Sequence, residues 1–482
     1  MRRSILWVSL LVMSTLGVAA AQRSTARGPA ANTAGANDWP TFGYDVGRSG
    51  VSTAPTGITA ENVSTLERTQ ISIDGIVDAS AIYLHGVQVN GRAHDALFVT
   101  TTYGKTLAID AADGSTLWQH VPAGYESWAG TRQFTNSTPV ADPDRAFIYA
   151  ASPGGQVEKL AIADGHVVWS TPVTKLPQRE KMDSPLSYFR GRVIAVTGGY
   201  IGDAPPYQGH VAILDAASGR LLQVWNSLCS DRHELIDPAS CPASRSAIWG
   251  RAGAVIDATS GEIFVATGNG PWDGRTSWGD ATLQLDPNAE ALIGNYTPAN
   301  NEELNARDAD VGSTSPVLLG GGFIAQGGKD GTIRLLSRQM MKGSEPHRGG
   351  ELQVVPTPSG TRLFTAPAVM HAGAATWMFV ADGGGTAAWT LTNGQLQQAW
   401  KNATGGTSPV VAGGLLYVYE PAGNLRVYEP QSGRLIATLP CGRGHWNSPI
   451  VADGRIILPE GNANPGRGGQ PTATTAVINI WK

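Results

Sequence analysis

Residues 106–118 read TLAIDAADGSTLW. Apolar and polar positions alternate up to an Asp-Gly turn, then alternate again to a Trp, which is the pattern of a β-hairpin. The unit returns as EKLAIADGHVVW (158–169), VAILDAASGRLLQVW (211–225), TAAWTLTNGQLQQAW (386–400) and LRVYEPQSGRLIATL (425–439). Fainter copies are TLQLDPNAEALIGNY (282–296) and TIRLLSRQ (332–339). A second element precedes most copies: Ser/Thr-x-Pro or Ala-Pro, an apolar strand, a Gly turn and another strand. STPVADPDRAFIYAAS (137–152), TSPVVAGGLLYVYEP (407–421) and NSPIVADGRIILPEG (447–461) are examples.

Two hairpins per unit make a four-stranded antiparallel sheet. Near-identical sheets recurring every ~40 to 60 residues suit propeller blades better than separate β-sandwiches, since one blade cannot bury both its faces but a ring can. Units start near Ser80, Thr138, Ser184, Ala247, Ser315, Ala366, Ser408 and Ser448. The expected fold is therefore all-β, an eight-bladed β-propeller of four-stranded antiparallel blades over 38–482. The indistinct boundary between Ser244 and Gly261 leaves seven blades open. The last strand, in TTAVINIWK (474–482), is expected to be completed by DWPTFGYDVGRSG (38–50), joining the chain ends.

The chain of 482 residues has 35 basic and 39 acidic side chains, a net charge of -4. That balance offers no field for phosphates, so nucleic acid is not an expected partner. At the N-terminus, Arg2 and Arg3 precede an apolar run from Ile5 to Val18, and Ala19, Ala20 and Ala21 follow. This order predicts a cleaved export signal over 1–21, then a flexible leader over 22–37, and a periplasmic or secreted protein. No further segment is long and apolar enough for a transmembrane span. Cys229 and Cys241 flank the loop CSDRHELIDPASC, which a disulfide would staple in an oxidising compartment; metal ligation is the rival reading. Cys441 is left over and is expected to be a buried free thiol. No C-x-x-C-H occurs, which excludes covalently attached c-type haem.

The pattern A-x-D-x-x-x-G-x-x-x-W resembles the repeat of the pyrroloquinoline quinone (PQQ) β-propellers. In that family the Trp packs between blades, a place matched by Trp118, Trp169, Trp225 and Trp400. The family includes periplasmic quinoprotein alcohol dehydrogenases and also quinone-free scaffold subunits of the outer-membrane protein assembly machinery. Fold therefore does not decide function.

Several segments are similar to the dehydrogenase branch. WPTFGYDVGRSG (39–50) resembles the opening of those enzymes. IWGRAGAVIDATSGEIFVATGN (248–269) resembles the stretch that carries the aromatic floor under the quinone and an Asn ligand of calcium, which implies Trp249 and Asn269. GGYIGDAPPYQGHVAILD (198–215) resembles a segment whose acid binds calcium, which implies Asp203, an acid shorter than the family's Glu. YTPANNEELNARDADVGSTSPVLL (296–319) is similar to the segment with the catalytic Asp; Asp308 and Asp310 are both candidates. GGKDG (327–331) implies Lys329 at the quinone carbonyls. Ser184 and Arg132 stand where a hydroxyl and a guanidinium bond cofactor carboxylates. The adjacent-Cys disulfide that commonly caps the quinone is missing, and Trp128 stands in its region.

The set is chemically coherent. Calcium takes hard oxygen ligands, a carboxylate acts as general base, an aromatic face supplies stacking area, and a Lys steadies a developing oxyanion. DADVG lacks the continuation of an EF-hand and is not read as one. The resemblance thus implies PQQ and calcium as cofactors, a small alcohol or sugar as substrate, and a separate electron acceptor. The alternative it leaves open is a non-catalytic scaffold that binds envelope proteins.

Overall fold

Why the repeat has its spacing is visible in the packing of one blade on the next. The ring of Trp118 lies on the turn glycine of the following blade: a Cβ at Gly165 would meet it at 2.6 Å. Trp169 covers Gly219 and Trp400 covers Gly433 in the same way, each at 2.5 Å. All three glycines have positive φ, so the turn and the close approach both require the absence of a Cβ. Each indole also donates to the next blade: Trp118 Nε1 to Ile162 O (2.8 Å), Trp169 Nε1 to Ala216 O (3.2 Å), Trp400 Nε1 to Pro430 O (2.7 Å). The Gly and the Trp of the motif are thus the two halves of an interblade joint.

The computed structural model describes Met1, Gly35, residues 37–463 and residues 475–482. The expected signal (1–21) and nearly all of the expected leader (22–37) lie outside the described residues. Among them, eight antiparallel blades follow in chain order. Blade 1 runs from Ile82–Val89 to Thr116–His120, blade 2 from Val140–Ala141 to Val167–Pro172, and blade 3 from Ser187–Phe189 to Leu221–Asn226. Blade 4 runs from Val255–Ile256 to Leu292–Tyr296, blade 5 from Val317–Gly320 to Gln353–Pro356, and blade 6 from Ala368–Ala372 to Gln395–Asn402. Blade 7 runs from Val410–Ala412 to Leu435–Pro440, and blade 8 begins at Ile450–Ala452. The indistinct boundary at 244–261 is the long approach to blade 4, so the count is eight.

First strands of neighbouring blades touch one another, which puts them at the axis. The Ser/Thr-x-Pro starts clasp there through hydroxyls. Ser80 N donates to Thr138 Oγ1 (3.2 Å), Ser184 Oγ to Gly250 O (2.9 Å), Ser315 Oγ to Gly253 O (2.9 Å), and Ala366 N to Ser408 Oγ (2.9 Å). The hydrophobic core is correspondingly circular. One buried cluster joins Phe98 and Trp118 of blade 1 to Ile148 and Leu160 of blade 2, and another joins Val157 to Val193 and Leu214 of blade 3. The largest spans blades 7, 8 and 1.

The ring closes through both ends of the chain, but not through residues 38–50. The outer strand of blade 8 is Arg68–Asp74, antiparallel to Thr475–Trp481 over seven pairs from Arg68–Trp481 to Asp74–Thr475. RTQISID alternates with period two and buries Ile71 and Ile73, as a strand must. Residues 38–50 cannot form that strand, because Gly43, Tyr44, Arg48 and Gly50 all have positive φ. They form a plug at the inner ends of several blades instead. Ala141 N donates to Pro40 O, Ile256 N to Val46 O, and Val369 N to Ser49 O. The buried Arg48 guanidinium bonds Thr41, Phe42, Leu186 and Ser187. Cys229 and Cys241 are joined by a disulfide with Cα atoms 6.2 Å apart. Cys441 is free and half-buried rather than buried.

Candidate functional site

In an antiparallel four-stranded blade, the turn between second and third strands and the connection to the next blade open on one face. On that face a cavity of about 850 Å³ lies around the axis. This size is within the usual range for small-molecule sites. Asp203, Trp249, Asn269, Asp308, Asp310 and Lys329 all line it. Trp249 comes from the approach to blade 4 and Asn269 from the turn after Ile263–Ala266. Asp308 and Asp310 follow the short helix Asn301–Ala306, and Lys329 follows Phe323–Gly327 of blade 5.

Lys329 is the hub. Its Nζ lies 2.6 Å from Asp308 Oδ1 and 2.6 Å from Asp310 Oδ1, and 4.9 Å above the Trp249 ring. Burial opposes its charge, but Asp310 and the bonds to both acids outweigh burial and hold the ammonium above its ordinary value. Asp310 is wholly buried; that burial pushes its carboxyl up, against the pull of Lys329. Trp249 Nε1 donates to Asp310 Oδ2 at 3.2 Å, which fixes the indole plane. Asn269 Nδ2 donates to Leu304 O at 3.4 Å and Asn305 O at 3.3 Å, and its Oδ1 faces the oxygens of Asp308 and Asp310. Asp203 is exposed at the cavity edge and accepts from Tyr207 OH at 3.0 Å.

Two expected residues do not reach the cavity lining. Ser184 is buried in the axial clasp, its hydroxyl spent on Gly250 O. Arg132 is exposed in the connection between blades 1 and 2. Other groups were not foreseen. Phe364 and Trp446 add aromatic wall, with ring centroids 6.0 Å and 6.2 Å from that of Trp249. Lys181 and Asp183 form a buried ion pair at 2.9 Å on the lining. Asp280 is fully buried near Asp310, and neither of its oxygens has a hydrogen bond of normal geometry. Burial, then repulsion from Asp310, pushes its carboxyl up to about 8, against a smaller pull from the Val311 backbone amide. The usable signal for most of these was their position. Asp183, Phe364 and Trp446 each lie just before a blade's first strand, where the chain reaches the axis.

Trp249 presents an aromatic face with the Lys329 cation over it, features that could serve a flat ligand bearing carboxylates. The fit to calcium is incomplete. Asp308 and Asp310 already hold an ammonium, which competes with a cation for their oxygens. Among the described residues, the group of three His, Asp or Glu with ligand spacing is His85, Asp95 and Asp453, away from the cavity. There Arg455 bonds both carboxylates, at 3.0 and 2.8 Å.

The comparisons agree with this picture of the fold. The family described as outer membrane protein assembly factor BamB matches residues 63–282. A polyvinylalcohol dehydrogenase of Pseudomonas sp is 25% identical over 301 residues, which are 55% of this chain and 44% of that protein. The chain thus matches less than half the length of that relative. Quinohemoprotein alcohol dehydrogenase from Comamonas testosteroni superposes with a TM-score of 0.66 at 16% identity, over 92% of this chain and 80% of the other. BamB from Moraxella catarrhalis gives 0.50 at 14% identity, over 86% and 98%. The chain has the PQQ-like propeller fold and is related, at the level of the superfamily, to quinoprotein alcohol dehydrogenases and to BamB. Among the described residues no helix is long and apolar enough to cross a membrane.

Proposed function

We propose that the axial cavity holds a planar, carboxylate-bearing quinone of the PQQ kind. The protein then acts outside the cytoplasm as an oxidoreductase on an alcohol or a sugar. The observation that carries this reading is the Lys329 ammonium set 4.9 Å above the face of Trp249 and anchored by Asp308 and Asp310. Such a quinone supplies the two-electron oxidant when bound. Trp249 would offer stacking area, Lys329 would neutralise oxygens on the ligand, and Phe364 and Trp446 would exclude water. Calcium would take Asp203, the Asn269 carbonyl and the ligand's own oxygens. Alcohols carried on a polymer are one substrate class, suggested by the name of the Pseudomonas relative. Electrons would pass to a separate acceptor. The N-terminal signal pattern and the disulfide support export.

A scaffold role in the envelope is the second reading. One observation favours it: Lys329, Asp308 and Asp310 satisfy one another without a ligand. Thermal unfolding with and without PQQ and calcium, beside dye reduction with a panel of alcohols and sugars, separates the two. A raised melting temperature with dye reduction supports the oxidoreductase. No shift and no reduction leaves the scaffold.

A further inference from the structure

The cavity carries a second constellation, opposite Lys329 in sequence and blade order. His445 lies in the approach to blade 8 and lines the cavity. Its Nδ1 is 2.8 Å from Oδ2 of Asp78, which lies in the approach to blade 1. Asp78 is wholly buried, while the His445 side chain keeps 26% of its surface. The carboxylate is held from two further sides: Trp446 N donates to Oδ1 at 2.9 Å and Ala463 N to Oδ2 at 3.1 Å. An acid accepting two backbone N–H bonds is an acceptor for the imidazole as well, so Nδ1 carries the proton. Its partner Nε2 then keeps its lone pair, and no hydrogen bond to Nε2 is made among the described residues. The ring is also fixed in plane. It stacks on Trp446 (5.2 Å, 20°), and Trp446 stacks on Trp249 (6.2 Å, 21°).

Asp308 and Asp310 are both engaged by Lys329, whereas Nε2 of His445 meets no partner among the described residues. A buried carboxylate, an oriented imidazole and a free nitrogen on a cavity wall make up the arrangement of a general base. We propose that His445, oriented by Asp78, accepts the proton of a hydroxyl group bound in this cavity. Asp78 is the positioning residue. In the step, the O–H bond of the ligand breaks, its proton bonds to Nε2 through the nitrogen lone pair, and the O–H electron pair stays on oxygen. The imidazolium so formed is stabilised by Asp78. The inference rests on the oxidoreductase reading, whose quinone is the oxidant that completes the reaction.

The charged groups around the ring are Asp78, Arg251 (Nη2 to Trp446 O, 2.8 Å), Arg362 and Asp382 on an adjoining cavity of about 220 Å³, and Lys181 with Asp183 across the axis. The test uses the full-length mature protein. The first measurement needs no turnover: nitrogen NMR of 15N-histidine-labelled protein, with His445→Gln to assign the signal. The neutral ring is expected to be the Nδ1-protonated tautomer; a neutral ring protonated on Nε2 overturns the proposal. The second uses PQQ as probe, dye reduction as readout and the alcohol panel as substrate. His445→Gln and His445→Ala are expected to lower kcat roughly 10²- to 10⁴-fold with PQQ binding retained. Added imidazole is expected to restore part of the rate to His445→Ala, and Asp78→Asn to lower kcat and change its pH profile. Dye reduction by wild type with full activity in His445→Gln overturns the proton-acceptor role alone. A wild type that binds PQQ but reduces no dye overturns that role and the oxidoreductase reading together. Asp78→Asn, being buried, is read only if it melts as wild type does; the His445 variants decide the matter otherwise.

Discussion

Lys329 of blade 5 and Asp310, nineteen positions earlier in the chain, form a 2.6 Å ion pair in which the acid has no exposed surface. Breaking one side of a buried pair costs more than the pair contributes, because the other charge is stranded. Lys329→Met is expected to destabilise the protein by about 3–5 kcal/mol, less at acid pH, where Asp310 can take up a proton. The double variant with Asp310→Asn is expected to recover most of the loss. Denaturant unfolding of wild type and the two variants checks this; equal stability of wild type and Lys329→Met would contradict it.

Asp280 sets an opposite pH dependence to the usual buried acid in an ion pair. Burial and the neighbouring Asp310 push its folded carboxyl up to about 8, well above the ordinary carboxylate range. Below that ordinary range both states are protonated and nothing is lost. As pH rises toward 8, the unfolded chain has released its proton while the folded one retains it, so stability falls. Asp280→Asn is expected to raise stability at pH 8 by about 1–3 kcal/mol and to leave it nearly unchanged at pH 4. Melting temperatures across pH for both proteins decide it. A variant destabilised equally at both pH values would show that the carboxyl is held ionised.

The joint between Trp169 and Gly219 leaves no room for a methyl group. A Cβ at Gly219 would lie 2.5 Å from the indole, and the φ of 74° disfavours any L side chain. Gly219→Ala is expected to cost about 1–3 kcal/mol through strain and repacking. Gly191 has the same sign of φ but open space around its Cβ, so Gly191→Ala is expected to cost less. Thermal unfolding of both variants measures the difference.

The disulfide closes a loop with a sequence separation of 12 between Cys229 and Cys241. Replacing both with Ser is expected to cost about 2–3 kcal/mol, seen in denaturant unfolding. A reductant should lower the stability of wild type and not that of the double variant.

Much of the architecture was readable because its recurring joint is local. Gly and Trp lie in one hairpin, and each copy repeats the same contact one blade further on. The closing strand was not readable in this way. RTQISID alternates like any strand, and nothing in alternation says that its partner lies some 400 positions later. The closing role was expected of residues 38–50, which would have joined the chain ends, yet their positive-φ positions forbid a strand. In the cavity, Asp203, Trp249, Asn269, Asp308, Asp310 and Lys329 come together, since all lie on connections that open on one face. Ser184 resembled a cofactor ligand, but its hydroxyl is consumed by the axial clasp. His445 and Asp78 were overlooked because they meet only when blade 8 closes on blade 1.

The most direct measurement is a titration of PQQ into the purified protein, followed by calorimetry and by quenching of tryptophan fluorescence. Saturable one-to-one binding, weakened at least roughly tenfold by Trp249→Ala, a loss of about 1.4 kcal/mol, is the predicted result. No saturable binding, or equal affinity in the two proteins, would contradict a quinone seated on Trp249.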